Sequence, residues 1–318
     1  MTMKRSQKPI PDHLSDFLDW LDIEKGLASK SQENYSRFLN KFINWLKDNN
    51  LGDLKPHQLS PAHIWKYRVY LSRNTKRPLK KSTQNYYLIA LRSLLNYFAE
   101  RDILSLPAEK VKLARNEDER PVRLLSLEQL DKLFSAPNIS KVSGLRDRAI
   151  LELFFSTGMR IAELVSLNRE QIKTKPDTDT KELELSIKGK GGRIRTVYIS
   201  DRALYWLRKY LETRTDNERA LFINYRGRKG ADRRLTPRAI EKNFKKYIIA
   251  TGLPLIATPH VMRHTFATDL LNQGVDLRIL QAFLGHKSIL ATQIYTHVTN
   301  KKLREIHKKF HSGRRLKT

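Results

Sequence analysis

The chain has 318 residues, enough for two ordinary domains with a core each, and carries 61 Lys and Arg against 33 Asp and Glu, a formal net charge of +28. Such a positive balance on a chain with ordinary apolar content points to a polyanionic partner, of which nucleic acid is the commonest. The absence of cysteine excludes disulfides, thiolate nucleophiles and Cys-ligated zinc, and fits a cytoplasmic protein. No run approaches the roughly 18 apolar residues a membrane span needs, and the opening MTMKRSQKPIPDHLSDF lacks the apolar centre of a signal peptide.

The first hundred residues read as a helical module. Tyr35, Phe38, Leu39, Phe42, Ile43 and Leu46 recur at helical spacing, with Arg37, Lys41 and Lys47 off that stripe. Ser60-Pro61 opens a helix carrying Ile64, Tyr67 and Leu71, and Ser82 is expected to open another running through Ile89 and Leu94 to Phe98. Basic residues interleave with aromatics on these helices, a pattern that suits either a phosphate-gripping surface or a solvated face. From Pro107 to Arg123 the amphipathic period dissolves, so residues 107–123 are expected to be a linker between domains at 1–106 and 124–318.

The second domain is expected to begin at a capping box, Ser126 to Gln129, followed by an apolar helix over 145–155. Leu183, Leu185 and Ile187 alternate against polar residues, then come KGKGG and IRTVYI, which together predict a β-hairpin. Helices follow around 202–214 and 236–250, with Thr236-Pro237 at the start of the second and Gly252 at its end. TPHVMRHTFATDLLNQG (258–274) predicts another, with Thr258 as N-cap, Pro259 at the first position and Gly274 past the end. The expected fold is mainly α, a helical N-terminal domain plus a mostly helical second domain with a small antiparallel sheet.

Within the second domain certain polar residues stand out. Arg160 follows a turn marked by Gly158, with Glu163 one turn on; Lys190 lies between glycines at the hairpin; His260 and Arg263, at i and i+3, share a helix face; His286 follows Gly285; and Tyr295 lies in TQIYTH. Singly, each has an ordinary structural role available: an ion pair, a hairpin-tip lysine, a tyrosine capping a core. Together they answer one chemical need. Two arginines can clamp the non-bridging oxygens of a phosphodiester, lysine and histidine can move protons at its bridging oxygens, and a tyrosine hydroxyl can be the covalent nucleophile. No cluster of carboxylates suggests a two-metal site, no H-E-x-x-H occurs, and no phosphate-binding G-x-x-x-x-G-K-[ST] implies ATP.

The arrangement resembles the tyrosine recombinase (phage integrase) family. Arg160 stands in its TGxRxxEL motif, Lys190 at its hairpin lysine, His260 and Arg263 in HxxR, His286 in LGH, and Tyr295, nine residues later, at its nucleophile position. The likeness extends to the N-terminal GLASKSQENYSRFLNKFINWL and so spans nearly the whole chain, with the short two-domain layout most like the Xer recombinases. The resemblance implies a SAM-like core-binding domain at 1–106 and a catalytic domain at 124–318 that clamp a double-stranded DNA recombination site.

Tyr295 is then expected to attack the phosphodiester, leaving a 3′-phosphotyrosine and a free 5′-hydroxyl, with neither metal nor ATP nor any other cofactor. Lys190 is implied as general acid for the leaving oxygen, His260 as its helper at the tyrosine, and His286 as a hydrogen-bonding partner of the phosphate. His264 is read as a structural hydrogen-bonding residue. Four protomers are implied on two sites, as a homotetramer (a dimer of dimers) or a heterotetramer with a second recombinase, with an activating protein as a further candidate partner. The helix expected at KKLREIHKKFH (301–311) is implied to dock on a neighbour. Chromosome dimer resolution is the first expectation. A transposon or phage integrase is the alternative of the same chemistry; a type IB topoisomerase and a non-catalytic DNA-binding protein fit less of the pattern.

Overall fold

The computed structural model describes residues 3–73, 78–114, 124–172, 183–189, 192, 194–226, 232–254, 257–286 and 288–293. The chain divides into two compact units, Met1–Arg120 and Pro121–Thr318.

The first unit is built from α1 (Leu14–Ile23), α2 (Ser29–Asp48), α3 (Pro61–Arg73) and α4 (Lys81–Glu100). Leu39, Phe42, Ile43 and Leu46 are buried as the α2 stripe requires. Tyr35 and Phe38 flank the core from partly buried positions, because the stripe widens past the contact line toward the helix start. Ile64, Tyr67 and Leu71 bring α3 onto the same core, beside Leu91, Leu94 and Phe98 of α4. α4 starts at Lys81 with Lys80 as N-cap and no side-chain cap bond, so Ser82 lies inside the first turn rather than at the opening; Ile89 faces outward.

The expected linker begins too early. Ala108–Lys110 form a 3-10 turn, Ala108 and Val111 are buried in the first core, and the Asn85 side chain donates to the Ala114 carbonyl while accepting from the Ala114 amide, each at 2.9 Å. Charge in this stretch hides the two apolar residues that seat it. Ala108, Val111 and Ala114 thus pack with the first unit.

The second unit opens as the sequence predicts. Ser126 accepts from the Gln129 amide and the Gln129 side chain accepts from the Ser126 amide, starting α5 (Leu127–Ser135). α6 (Val142–Thr157) is buried nearly all round at its centre, and its charges are paired: Arg146 with Asp147, Arg148 with Glu152. Tyr247 Oη donates to Asp147 at 2.7 Å. After α7 (Ile161–Ser166), β1 (Leu183–Lys188) and β2 (Ile194–Ile199) pair antiparallel, with Leu185 opposite Val197 and Ile187 opposite Arg195. α8 (Asp201–Glu212), α9 (Pro237–Ala250), α10 (Pro259–Asn272), α11 (Leu277–Leu284) and α12 (Leu290–Gln293) complete the described part. Thr236 caps α9 by accepting from the Ala239 amide. Thr258 occupies the N-cap position of α10 without a side-chain cap bond, so Pro259 alone carries that start signal. The core joins α5, α6, the hairpin, α8 and α9, with Met262 of α10 among them. Among the described residues no helix is long and apolar enough to cross a membrane.

Candidate active site

Two glycines shape the site. Gly158 closes α6 in the left-handed region, φ +57°, and a Cβ there would lie 2.3 Å from the Phe266 ring. The turn it makes places Arg160 as the N-cap of α7, where the Arg160 amide donates to Glu163 Oε2 at 2.7 Å and its Nη1 to Oε1 at 3.0 Å. Gly285 closes α11 the same way, φ +62°, and delivers His286. A Cβ on Gly285 would lie 2.8 Å from Arg195 Cδ. Both positions thus require glycine twice over, for backbone sign and for space.

His260 and Arg263 project from the first turns of α10. Arg263 is only 5% exposed. Its Nη1 donates to the Gly158 carbonyl at 2.7 Å, and its Nη2 to the Leu284 carbonyl at 2.6 Å and to His286 Nε2 at 3.0 Å. A guanidinium has no acceptor, so His286 Nε2 must accept and the ring proton sits on Nδ1, which donates to Thr292 Oγ1 at 3.0 Å. Burial, followed by the nearby charges of Arg263, Arg160 and Arg195, pulls the His286 pKa down to about 4. The ring is neutral at pH 7, as its acceptor role demands. His264 is half-buried, and its pKa is lowered by burial and by its neighbours His260 and Arg263.

Arg160, His260 and Arg263 line one cavity of about 280 Å³, together with Met159, Glu241, Phe244, Lys245 and Thr258 among others. His286 meets Arg263 at 3.0 Å, so the described structure brings four of the expected residues together, three around one cavity and the fourth against Arg263. Lys190, in the β1–β2 connection, and Tyr295, after α12, lie outside the described residues, as does the helix expected at 301–311. Among the described residues no group of three His, Asp or Glu side chains is placed to hold a metal ion.

Sequence reasoning passed over Arg195 and gave Glu163 no role. Arg195 donates from Nη1 and Nη2 to the two Glu163 oxygens, at 2.9 and 2.7 Å, and from Nε to the Phe283 carbonyl at 3.0 Å. Burial pushes the Glu163 carboxyl up, but the bonds from Arg195 and from the amide and guanidinium of Arg160 override it and hold the pKa at about 2. The signal was available: in IRTVYI a charge at position 195 shares the inward face with Val197 and Ile199.

Residues 123–302 match the family model described as "Phage integrase family", and residues 12–104 match "Phage integrase, N-terminal SAM-like domain". The chain belongs to the phage integrase family. It is a site-specific tyrosine recombinase, an enzyme of DNA strand exchange, with the mainly helical two-part fold its sequence predicts. It is 34% identical over 307 residues to tyrosine recombinase XerD of Lacticaseibacillus casei, covering 94% of this chain and 98% of that one. It is 35% identical over 309 residues to tyrosine recombinase XerC of Thermodesulfovibrio yellowstonii, covering 94% and 96%. In fold it is similar to the crystal structure of the XerH site-specific recombinase bound to a palindromic difH substrate (TM-score 0.73, 21% identity, 96% and 97% covered).

Proposed function

We propose that this chain cuts and rejoins duplex DNA with Tyr295 as nucleophile, at a site completed by Arg160, Lys190, His260, Arg263 and His286. The observation that carries the reading is the cavity shared by Arg160, His260 and Arg263. The two arginines that line it can receive the charge that gathers on the non-bridging oxygens in the transition state. Attack by the Tyr295 oxygen forms a phosphorus–oxygen bond and releases a 5′-oxygen. Lys190 protonates that oxygen, and His260 takes the tyrosine proton. Because the phosphotyrosine keeps the energy of the phosphodiester, a 5′-hydroxyl from the partner strand reseals the backbone without ATP, and the arginines supply the charge a metal would otherwise bring.

His286 is given a second task beside the phosphate contact expected of it. With Nε2 turned to Arg263 and Nδ1 to Thr292, it sets the aim of Arg263. The partner is a double-stranded DNA recombination site, engaged by both units of the chain, with four protomers on two sites. Likeness to XerC and XerD recombinases favours chromosome dimer resolution in the cytoplasm over integration of a mobile element.

The test uses a nicked suicide duplex carrying the sequence that this chain selects from its host genome. Wild-type protein is expected to accumulate a covalent adduct, and Tyr295→Phe to bind equally well with none. An adduct on the Phe variant removes Tyr295 from the role.

A further inference from the structure

Arg195 is a charge in a place where a strand usually puts an apolar side chain. It shares the inward face of β2 with buried Val197 and Ile199, while Ile194, Thr196 and Tyr198 face outward. Its side chain is 10% exposed. The stem crosses Gly285 at a distance that leaves no room for a Cβ. At the head, Nε is committed to the Phe283 carbonyl in the last turn of α11, and both terminal nitrogens to Glu163. Those same carboxylate oxygens receive the amide and guanidinium of Arg160. A buried carboxylate under two guanidiniums, one of which also grips the neighbouring helix end, has the form of a joint between elements rather than of a local ion pair.

We infer that Arg195 is a positioning residue for recombination, fixing Arg160 relative to the Arg263–His286 pair by holding Glu163 and the Phe283 carbonyl at once. The inference rests on the reading of the site given above. Arg195 reaches the cavity only through Glu163 and α11, so it is not a catalytic residue. Its planar fork meets two oxygens and a carbonyl in fixed directions, and the single amine of lysine cannot do the same. The charged groups facing Glu163 are Arg160 from its own helix start and Arg195 from β2; His286 lies within the field of both arginines. Without Arg195, burial dominates at Glu163, the carboxyl takes up a proton at higher pH, and Arg160 loses its seat.

The experiment follows adduct formation on the nicked duplex from about pH 5 to 9 for Arg195→Gln, Arg195→Lys, Glu163→Gln and the Arg195→Gln/Glu163→Gln double variant, with DNA affinity measured alongside. Both Arg195 variants are expected to cleave about ten- to a hundred-fold more slowly while affinity stays within about threefold of wild type, because the defect is one of aim. Arg195→Gln is expected to lose more of its rate toward acid than wild type does. The double variant is expected to cleave no more slowly than the slower of the two single variants and to lack that added acid loss, since both changes cut one connection.

Arg195→Gln at the wild-type rate overturns the inference. So does a double variant whose loss is the product of the single losses. Should thermal melting show Arg195→Gln unfolded, Arg195→Lys, which keeps charge and stem, replaces it in the same double-variant comparison with Glu163→Gln. Tyr295→Phe run beside them separates the two failures: an adduct there sinks the site itself, while an inert Tyr295→Phe beside a fully active Arg195→Gln sinks only the role of Arg195.

Discussion

Replacing Gly158 by alanine perturbs backbone and site together, and Gly252 supplies an internal reference. Both glycines end a helix in the left-handed region, at φ +57° and +65°. A Cβ on Gly252 would meet nothing within 4 Å, whereas one on Gly158 would sit 2.3 and 2.7 Å from carbons of the Phe266 ring. Each alanine incurs about 1 kcal/mol for a left-handed conformation. At Gly158 the forced displacement adds about 1–3 kcal/mol, the usual cost of overpacking. The expected destabilisation is then about 1 kcal/mol for Gly252→Ala and about 2–4 kcal/mol for Gly158→Ala.

The Gly158 carbonyl also accepts from Arg263, so where the Phe266 ring cannot turn aside, relief of the clash shifts that carbonyl or α10, and both carry Arg263 off its mark. Gly158→Ala is expected to lower adduct formation well beyond Gly252→Ala, with DNA affinity nearly unchanged. Hydrogen exchange of α6 amides across a urea series measures the stability difference, and the nicked duplex measures the rate. Equal destabilisation by the two alanines, or a Gly158→Ala protein that cleaves as fast as Gly252→Ala, refutes the reasoning.

Two other expectations follow from the site. If Lys190 is the leaving-group acid, Lys190→Ala is expected to regain most of its lost cleavage on a duplex whose bridging 5′-oxygen is sulfur, which leaves without a proton, while Arg160→Ala is not; equal defects on both substrates assign Lys190 to charge stabilisation. His286, with its pKa lowered to about 4, binds fewer protons folded than unfolded, so its contribution to stability is complete above its ordinary value of about 6.5 and is lost as pH falls toward 4. The imidazole resonances of His286 are expected to titrate well below those of an exposed histidine, and a midpoint at or above the ordinary value contradicts the acceptor role toward Arg263.

Most of the helices were legible because their apolar residues recur at helical spacing and their starts carry Ser126, Pro61, Thr236 or Pro259. Misreadings came where tertiary contacts decide. Val111 is one apolar residue among charges, and only the core it enters shows that it belongs to the first unit. Ser82 resembles a cap, yet α4 starts at Lys81 with no side-chain cap bond. In the site, spacing along the chain brought His260 and Arg263 together because one helix carries both. Arg195 and Glu163 are 32 residues apart in sequence, and no local pattern pairs them. Gly158 marks a turn in the sequence and Gly285 precedes His286, but the close approaches of Phe266 and Arg195 are invisible without the fold.

The way these cations are anchored explains how the site stays charged while being rigid. A buried arginine held by a carboxylate has its charge cancelled by the partner that fixes it. Arg263 is held by, among others, the carbonyls of Gly158 and Leu284 and a neutral imidazole. Those carbonyls lie at the C-terminal ends of α6 and α11, where peptide dipoles concentrate partial negative charge. Carbonyl dipoles stabilise the guanidinium without neutralising it. Arg160 reaches the same end differently: it shares the single carboxylate of Glu163 with Arg195, so two positive charges meet one negative. The left-handed turns at Gly158 and Gly285 end their helices beside Arg263, and thus backbone conformation at two glycines determines electrostatics at the cavity. Under the proposed reading, charge fixed in this way before a phosphate arrives needs no reorganisation when negative charge builds on it, which is the condition under which such charge is most effective.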